Sequence, residues 1–175
     1  MSLESYRRSR LVVLHPRSSV QEAARAMADN HIGCVLVTHE HELVGVVTDR
    51  DLALDAVAAE LDPSTTTVRD VMSDEIATVN IDDDVPKVLE TMRQHACRRV
   101  PLLDGGRAIG IITLDDLILD NRINLADARS VIEAQLETAA RFKPEGQTHP
   151  SAPADSRLES RRSAPEIVRA RDRNA

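Results

Sequence analysis

The residues best suited to binding chemistry are two Thr-x-x-Asp motifs, Thr48 to Asp51 and Thr113 to Asp116. Each follows a glycine and two aliphatic residues, which predicts a point where a strand becomes a helix. The free backbone N–H groups of such a helix start point toward a phosphate group. A carboxylate three residues further on can accept hydrogen bonds from both hydroxyl groups of a ribose. The motifs therefore favour binding of a phosphorylated ribose.

The same spacing also has a purely structural interpretation. Thr-x-x-Asp is a capping box, which contributes about 1 kcal/mol to the stability of a helix. A single copy would favour the cap alone. Two copies in register, each behind a glycine and two aliphatic residues, favour ribose binding, and the two roles can alternate between ligand states.

An internal repeat places the two motifs at equivalent positions. A shift of 65 residues lays segment 12–52 on segment 77–117 without a gap. Seven positions are identical, and they include the glycine, threonine and second aspartate of each motif. Many of the other positions pair one aliphatic residue with another. The chain therefore contains two copies of one structural unit.

Each copy is predicted to fold in the element order β-α-β-β-α. After a short extended stretch, apolar residues at helical spacing predict an amphipathic helix. The apolar face consists of Val20, Ala23, Ala24 and Met27 in copy one and of Val85, Val88, Leu89 and Met92 in copy two. Ser19 with Glu22 forms a capping-box pattern, and Asp84 can cap the second helix. Strands are predicted at 34–38, 43–47, 100–103 and 108–112, with a second helix after each motif threonine.

These units must share a core. A unit of about 50 residues buries too little apolar surface to fold alone, so the copies are expected to pack about a pseudo-two-fold axis. The predicted class is a mixed α/β (α+β) fold. The predicted boundaries are 1–10 for an N-terminal segment, 11–62 for repeat one, 63–126 for repeat two, 127–142 for a C-terminal helix and 143–175 for a disordered tail. The C-terminal helix is predicted to carry Ile132, Leu136 and Ala139 on one face.

Composition excludes several classes of function. Tyr6 and Phe142 are the only aromatic residues in 175, so a protein that stacks nucleic-acid bases on aromatic rings is excluded. The net charge of −7 also argues against a nucleic-acid backbone binder. No apolar run approaches the length of a membrane span, and two cysteines do not form a disulfide framework, so a cytoplasmic protein is expected. The arginine-rich tail is interpreted as solubilising, with contact to nucleic acid or an acidic partner as the alternative.

The repeated pattern resembles a tandem pair of CBS domains, the Bateman module, of the kind found in stand-alone bacterial proteins. The motif runs from Gly45 to Asp51 and from Gly110 to Asp116, and copy two adds the segment Arg98-Arg99-Val100-Pro101-Leu102. The resemblance covers roughly residues 11 to 120. It implies a regulatory module without catalysis or an obligatory cofactor, which binds an adenine nucleotide such as AMP, ADP or ATP. It further implies a homodimer and a regulated partner protein of unidentified nature. The apolar face of the C-terminal helix either contributes to the dimer contact or packs on its own subunit.

The resemblance also implies two clefts, each combining the motif of one copy with strands of the other. Cleft one would contain Thr48, Asp51, Ile76, Ala77, Arg98, Arg99 and Pro101. Cleft two would contain Thr113, Asp116, Val12, Val13, Gly33, Cys34 and Leu36. Adenine would lie between aliphatic side chains such as Ile76 and Val100.

The two clefts differ in charge. Arg98 and Arg99 supply cleft one with guanidinium groups suited to phosphate, whereas the matching positions of cleft two are Gly33 and Cys34. We therefore expect the phosphorylated ligand in cleft one, with cleft two weak, empty or taking a less charged ligand. The alternative for both arginines is a salt bridge to Asp104 or Asp115. Arg50 either reaches the same phosphates or pairs with Asp49.

Other candidate sites are weaker. His31, Cys34, His39 and His41 are dense enough for a metal site, but they are more simply interpreted as a solvated turn and a buried strand. A disulfide between Cys34 and Cys97 is disfavoured in a reducing compartment. No arrangement typical of a catalytic nucleophile is visible, so an enzyme is not supported. The alternative function is a dimerisation scaffold that binds no ligand and uses both motifs only as caps.

Overall fold

The structure, a computed structural model, describes residues 3–8 and 11–141. It shows a mixed α+β fold in which each repeat contributes one three-stranded sheet flanked by helices. In each sheet the first strand is parallel to the second, and the second is antiparallel to the third. The predicted fold class and the predicted order β-α-β-β-α are both confirmed. The predicted tail, 143–175, lies outside the described residues.

The elements of the two repeats match one another closely. Repeat one consists of β1 (Val13–Leu14), α1 (Val20–Asn30), β2 (Cys34–His39), β3 (Glu42–Thr48) and α2 (Asp49–Asp51), the last continuing as a π-helical segment over Leu52–Val57. Repeat two consists of β4 (Val79–Asn80), α3 (Val85–Gln94), β5 (Arg99–Asp104), β6 (Arg107–Thr113) and α4 (Leu114–Leu119). A final helix, α5, spans Leu125–Arg141.

The helices begin where the sequence supplies caps. Ser19 and Glu22 form the predicted capping box of α1, and Asp84 accepts a hydrogen bond from the backbone N–H of Lys87 at the start of α3. All four predicted apolar residues of α3 are buried. In α1 the prediction was wrong for Ala24, which is exposed. Ala24 lies at the edge of the apolar stripe, where a methyl group gains little from burial.

The residues before each repeat pack into the core of the other one. Leu3 and Tyr6 are buried with the core of repeat two, and a short 3-10 helix over Glu4–Tyr6 holds them there. Val68 and Val71, each 65 residues later, are buried in the core of repeat one. The repeat thus extends upstream of position 11, and each core is completed by the segment that precedes the other repeat.

The glycine of each Gly-h-h-Thr motif makes room for these segments. A side chain at Gly45 would collide with Met72, and one at Gly110 would collide with the backbone carbonyl of Tyr6. At Gly110 the obstacle is backbone, so glycine is required there for the close approach of another chain segment. At Gly45 the obstacle is the flexible side chain of Met72, which can move aside.

Helix α5 packs against the core of repeat two through one face, and the face predicted to carry Ile132, Leu136 and Ala139 is a different one. Ala128 and Val131 are buried against the core of repeat two. Ile132 and Leu136 are 41% and 64% exposed, and the side chain of Ala139 lies outside the described residues. The helix begins at Leu125, and α3 fixes which face it covers, which the apolar spacing of α5 alone did not reveal.

Candidate functional site

The Thr48 motif lies where β3 ends and α2 begins. The backbone N–H and the hydroxyl of Thr48 both donate hydrogen bonds to Asp51 Oδ2, at 2.7 and 2.8 Å. The backbone N–H of Asp51 donates in return to Thr48 Oγ1 at 3.3 Å. The motif therefore forms the capping box that the structural interpretation predicts.

The cap leaves half of the Asp51 carboxylate open. Its hydrogen bonds within the described residues all go to Oδ2, so Oδ1 keeps its acceptor capacity. Asp51 is partly exposed, which gives a ligand access to that oxygen. A carboxylate held by one oxygen and open at the other is suited to accept a hydroxyl hydrogen bond.

A guanidinium from repeat two reaches the same place. A methyl group built on Gly33, at the start of β2, would lie 3.2 Å from Arg99 Nη2 and 2.9 Å from Asp49 Oδ2. Arg99, at the start of β5, therefore approaches the backbone of repeat one beside the first motif. Gly33 also accepts a hydrogen bond from the backbone N–H of Asp49 at 3.2 Å, which fixes the motif against β2.

The charges of Arg99, Asp49 and Asp51 also affect the pKa of the neighbouring Cys34 thiol. Burial raises the pKa of Cys34 to about 11, the positive charge of Arg99 opposes that shift, and the carboxylates of Asp51 and Asp49 add to it. Cys34 is buried and directly opposite Thr48 in the sheet. Its surroundings show that Arg99 and Asp51 act on one location in the structure.

The second motif has the same local geometry but a different partner. Thr113 and Asp116 form a capping box in which the Thr113 N–H donates to Asp116 Oδ2 at 3.1 Å. Asp116 Oδ1, however, forms a salt bridge with Arg8 Nη2 at 3.1 Å. The carboxylate oxygen that is open in the first motif is thus occupied in the second by a residue of the N-terminal segment.

A third Thr-x-x-Asp sequence, Thr67 to Asp70, shows which structure this spacing forms without the preceding glycine and aliphatic residues. Thr67 and Asp70 form a capping box on the short 3-10 helix Val68–Asp70, beside Ser19. The Thr67 hydroxyl and N–H hold the pKa of Asp70 below its usual value. No glycine and aliphatic pair precede Thr67 as they do at the other two sites, so the bare spacing identifies a cap.

Arg98 and Arg50 have exposed side chains. The salt bridges considered for Arg98 and Arg99 are absent among the described residues, and Asp104 pairs instead with Arg7 at 2.9 Å. Arg50 is bonded to Asp49 through its backbone N–H at 2.9 Å. The guanidinium groups of repeat two are therefore not neutralised by the acids that the sequence suggested.

The remaining predicted cleft-one residues lie further along the strands. Ile76 lines a cavity of about 380 Å³ together with Leu43, at the end of β3 opposite to Thr48. Pro101 is buried in β5 opposite Ile111, and Ala77 is partly buried two residues before β4. Val100 is fully buried in the core of repeat two, so the expectation that it contacts adenine was wrong.

The strand residues predicted for cleft two are mostly buried or partly buried. Cys34 and Leu36 are buried in β2, while Val12 is partly buried and its carbonyl accepts a hydrogen bond from Leu36. Val13 is 46% exposed. The sequence analysis did not identify Arg8, which the structure places on the carboxylate of this cleft.

The candidate metal and disulfide sites find no support in the described part of the chain. No group of three or more potential ligands comes together there, and His39 lies against His15 instead. Cys34 and Cys97 are free thiols. Within the described ranges, the helices are too short or too polar for one to cross a membrane.

Comparisons with known proteins agree on one family. The family model described as the CBS domain matches residues 3–55 and 68–120, which are related by the same 65-residue shift. The CBS domain-containing protein YhcV of Bacillus subtilis is 33% identical over 116 residues, which are 66% of this chain and 82% of that protein.

Solved structures give the same result. The CBS domain protein PAE2072 from Pyrobaculum aerophilum, complexed with AMP, is 27% identical with a TM-score of 0.62, covering 79% of this chain and 99% of that chain. The CBS domain protein TA0289 from Thermoplasma acidophilum shares the fold at a TM-score of 0.70 and 24% identity, covering 78% and 76% of the two chains.

Proposed function

This chain belongs to the CBS domain family as a tandem pair, and we propose that it is a non-catalytic regulatory module that binds an adenine nucleotide in cleft one. The observation that supports the proposal is that Arg99 of repeat two approaches Gly33 beside Asp49 of the first motif, and that the charges of Arg99 and Asp51 both act on the Cys34 thiol. Ligand occupancy would stabilise one arrangement of the two repeats and so change what a partner protein encounters.

Each of these residues has a distinct role in the proposed site. Asp51 Oδ1 accepts hydrogen bonds from the ribose hydroxyl groups, while Oδ2 keeps its bonds to Thr48. Arg99 binds phosphate oxygens with its two-pronged guanidinium group, and the exposed Arg98 and Arg50 add positive charge. AMP in the related Pyrobaculum protein supports a ligand of the adenosine class.

Affinity at this site rests on the sugar and the phosphate. Tyr6 is buried in the core of repeat two, so it offers no ring on which a base can stack. Ribose and phosphate contacts must then supply most of the binding energy, because each charge-assisted hydrogen bond contributes about 1.5 to 3 kcal/mol. We expect AMP, ADP and ATP to bind more tightly than adenosine.

The test is thermal unfolding in the presence of AMP, ADP, ATP and adenosine. A ligand at about 100 times its Kd stabilises the folded state by about 2.7 kcal/mol, which raises the Tm by several degrees. Asp51→Asn should reduce the stabilisation by about half or more, because binding that is ten-fold weaker leaves the ligand at only about 10 times its Kd. Asp70→Asn is the matched control, since it removes a capping carboxylate from an equal Thr-x-x-Asp box and should leave the shift unchanged.

One observation favours the alternative of a scaffold without a ligand. Both motifs already form complete capping boxes, so each has a structural role that needs no nucleotide. If no nucleotide at millimolar concentration shifts the Tm, the scaffold function replaces the proposed one.

We also propose that the protein is a homodimer. Large apolar side chains are exposed on the helical surface, with Val57 73%, Leu119 79% and Leu125 86% accessible. Val57 and Leu119 end the helical segments that follow the two motifs, and association of two copies would bury such side chains. Sedimentation equilibrium of the wild type and of Leu119→Glu tests this, with a dimer converted to a monomer as the expected result. The cytoplasmic location remains a prediction.

A further inference from the structure

The segment from Leu3 to Arg8 is held firmly on repeat two. Leu3 and Tyr6 are 0% and 2% exposed, and the carbonyl of Tyr6 lies against Gly110. The backbone N–H of Arg8 donates to the carbonyl of Ile109 at 3.0 Å. These contacts fix the backbone of Arg8 beside β6, from where its side chain reaches Asp116.

From that position Arg8 completes the bonding of the Asp116 carboxylate. Arg8 Nη2 lies 3.1 Å from Oδ1, and the N–H of Thr113 lies 3.1 Å from Oδ2. Both oxygens therefore have partners within the chain. The side chains of Arg8 and Asp116 are 49% and 27% exposed, so the guanidinium can swing away while its backbone stays in place.

We propose that Arg8 is an intramolecular competitor for the ribose position of cleft two. This inference rests on the proposed function, because it takes Asp116 to be the counterpart of Asp51. A ribose can use Asp116 Oδ1 only after the salt bridge to Arg8 breaks. The ribose position of cleft two is therefore occupied in the absence of a ligand, and it becomes available only to a ligand that displaces the guanidinium.

The other repeat provides an internal comparison. The 65-residue shift that relates Leu3 to Val68 and Tyr6 to Val71 aligns Ser73 with Arg8 in sequence. The backbone N–H of Ser73 bonds to the carbonyl of Val46, two residues beyond the counterpart of Ile109. A serine carries no charge and its side chain is too short to act as Arg8 does. Cleft one thus lacks this competitor by sequence, which agrees with the open Oδ1 of Asp51.

The strength of the Arg8–Asp116 ion pair limits how much Arg8 can weaken ligand binding in cleft two. A half-exposed ion pair changes an equilibrium constant by up to about five-fold, and added salt weakens the pair. A neutral ribonucleoside that must displace Arg8 should therefore bind cleft two more tightly as the salt concentration rises. Without Arg8 its affinity should be higher at low salt and nearly independent of salt.

The experiment uses adenosine as the probe, because it carries the ribose hydroxyl groups and no phosphate. Asp51→Asn blocks cleft one, and calorimetric titration then measures cleft two with and without Arg8→Gln, at about 0.05 M and about 0.5 M NaCl. We expect Arg8→Gln to tighten binding about three- to five-fold at low salt, and only the chain with Arg8 to respond to salt.

Arg7→Gln is the matched control, since Arg7 lies in the same segment but pairs with Glu4 and Asp104. It should leave the affinity of cleft two unchanged. Equal or weaker adenosine binding after Arg8→Gln overturns the competition. ADP binding by Asp116→Asn reports cleft one separately, so failure of ADP to bind that variant overturns the proposed function itself and the competition with it.

Discussion

Arg8 Nη2 lies 3.1 Å from Asp116 Oδ1, although the two residues are separated by 108 positions in the chain. The equivalent carboxylate of the first repeat, Asp51, keeps the same oxygen open. The two copies of the motif thus differ in charge pairing, because the aspartate of the second copy forms a salt bridge to Arg8 through Oδ1, whereas Asp51 Oδ1 is open. The difference arises from the segment before each repeat, where arginine stands in one and serine in the other.

The charge of Arg99 should distinguish phosphorylated from neutral ligands. Replacing Arg99 by glutamine removes a charge-assisted contact to phosphate, so ADP affinity should fall about ten-fold or more while adenosine affinity changes little. Calorimetric titration of both ligands checks this. Arg25→Gln, on the exposed face of α1, is the control. An equal loss for ADP and adenosine would show that Arg99 does not bind the phosphate.

Tyr6 should be necessary for the stability of repeat two. Tyr6→Ala removes a fully buried ring from that core, so the free energy of unfolding should fall by about 3 kcal/mol or more. Urea denaturation followed by circular dichroism measures it. Ser5→Ala, at an exposed neighbouring position, should change stability by less than about 0.5 kcal/mol. Equal stability of both variants would mean that the N-terminal segment does not pack as described.

The hairpin turns of the two repeats adopt similar left-handed backbone conformations, but only the turn of repeat two uses glycine there. Glu40 and His41 adopt φ values of 50° and 72°, where repeat two has Gly105 and Gly106 at 55° and 83°. Left-handed backbone costs a non-glycine residue about 1 kcal/mol. His41→Gly should therefore raise the Tm, and Gly106→His should lower it. Thermal unfolding of the two reciprocal variants checks this, and shifts of the same sign would contradict the account.

Cys34 should make stability depend on pH in the alkaline range. Its pKa is raised from 9.0 to about 11 in the folded state, chiefly by burial. The folded protein then binds the proton more tightly than the unfolded chain, so the stabilisation is complete below pH 9 and is lost as pH rises toward 11. The loss amounts to at most about 3 kcal/mol, since one pKa unit corresponds to about 1.4 kcal/mol. Urea unfolding of wild type and Cys34→Ala should diverge in that window, and parallel pH curves would contradict the assignment.

Much of the fold could be predicted because local signals agree with it. Short apolar runs bounded by turns identify β2, β3, β5 and β6 to within about one residue. In β3 and β6 the fully buried residues alternate, whereas β2 and β5 bury consecutive residues. Ser19 and Asp84 identify the helix starts because their side chains satisfy N–H groups that the helix leaves free.

The missed features depend on long-range contacts. Leu3 and Val68 fill equivalent core positions, as do Tyr6 and Val71, but neither pair is identical and the repeat therefore seemed to begin later. The role of Arg8 follows from where that segment docks, which no local pattern of residues indicates. The face of α5 that packs on repeat two, with Ala128 and Val131, was not identified for the same reason, because the contact with α3 determines it.

The most direct test of the central claim is a calorimetric titration of ADP into the wild type, Asp51→Asn and Asp116→Asn. We predict that Asp51→Asn weakens the tight site about ten-fold or more, whereas Asp116→Asn leaves it within about two-fold of the wild type. Loss of ADP binding in Asp116→Asn alone, with Asp51→Asn unchanged, would contradict the assignment of cleft one as the nucleotide site.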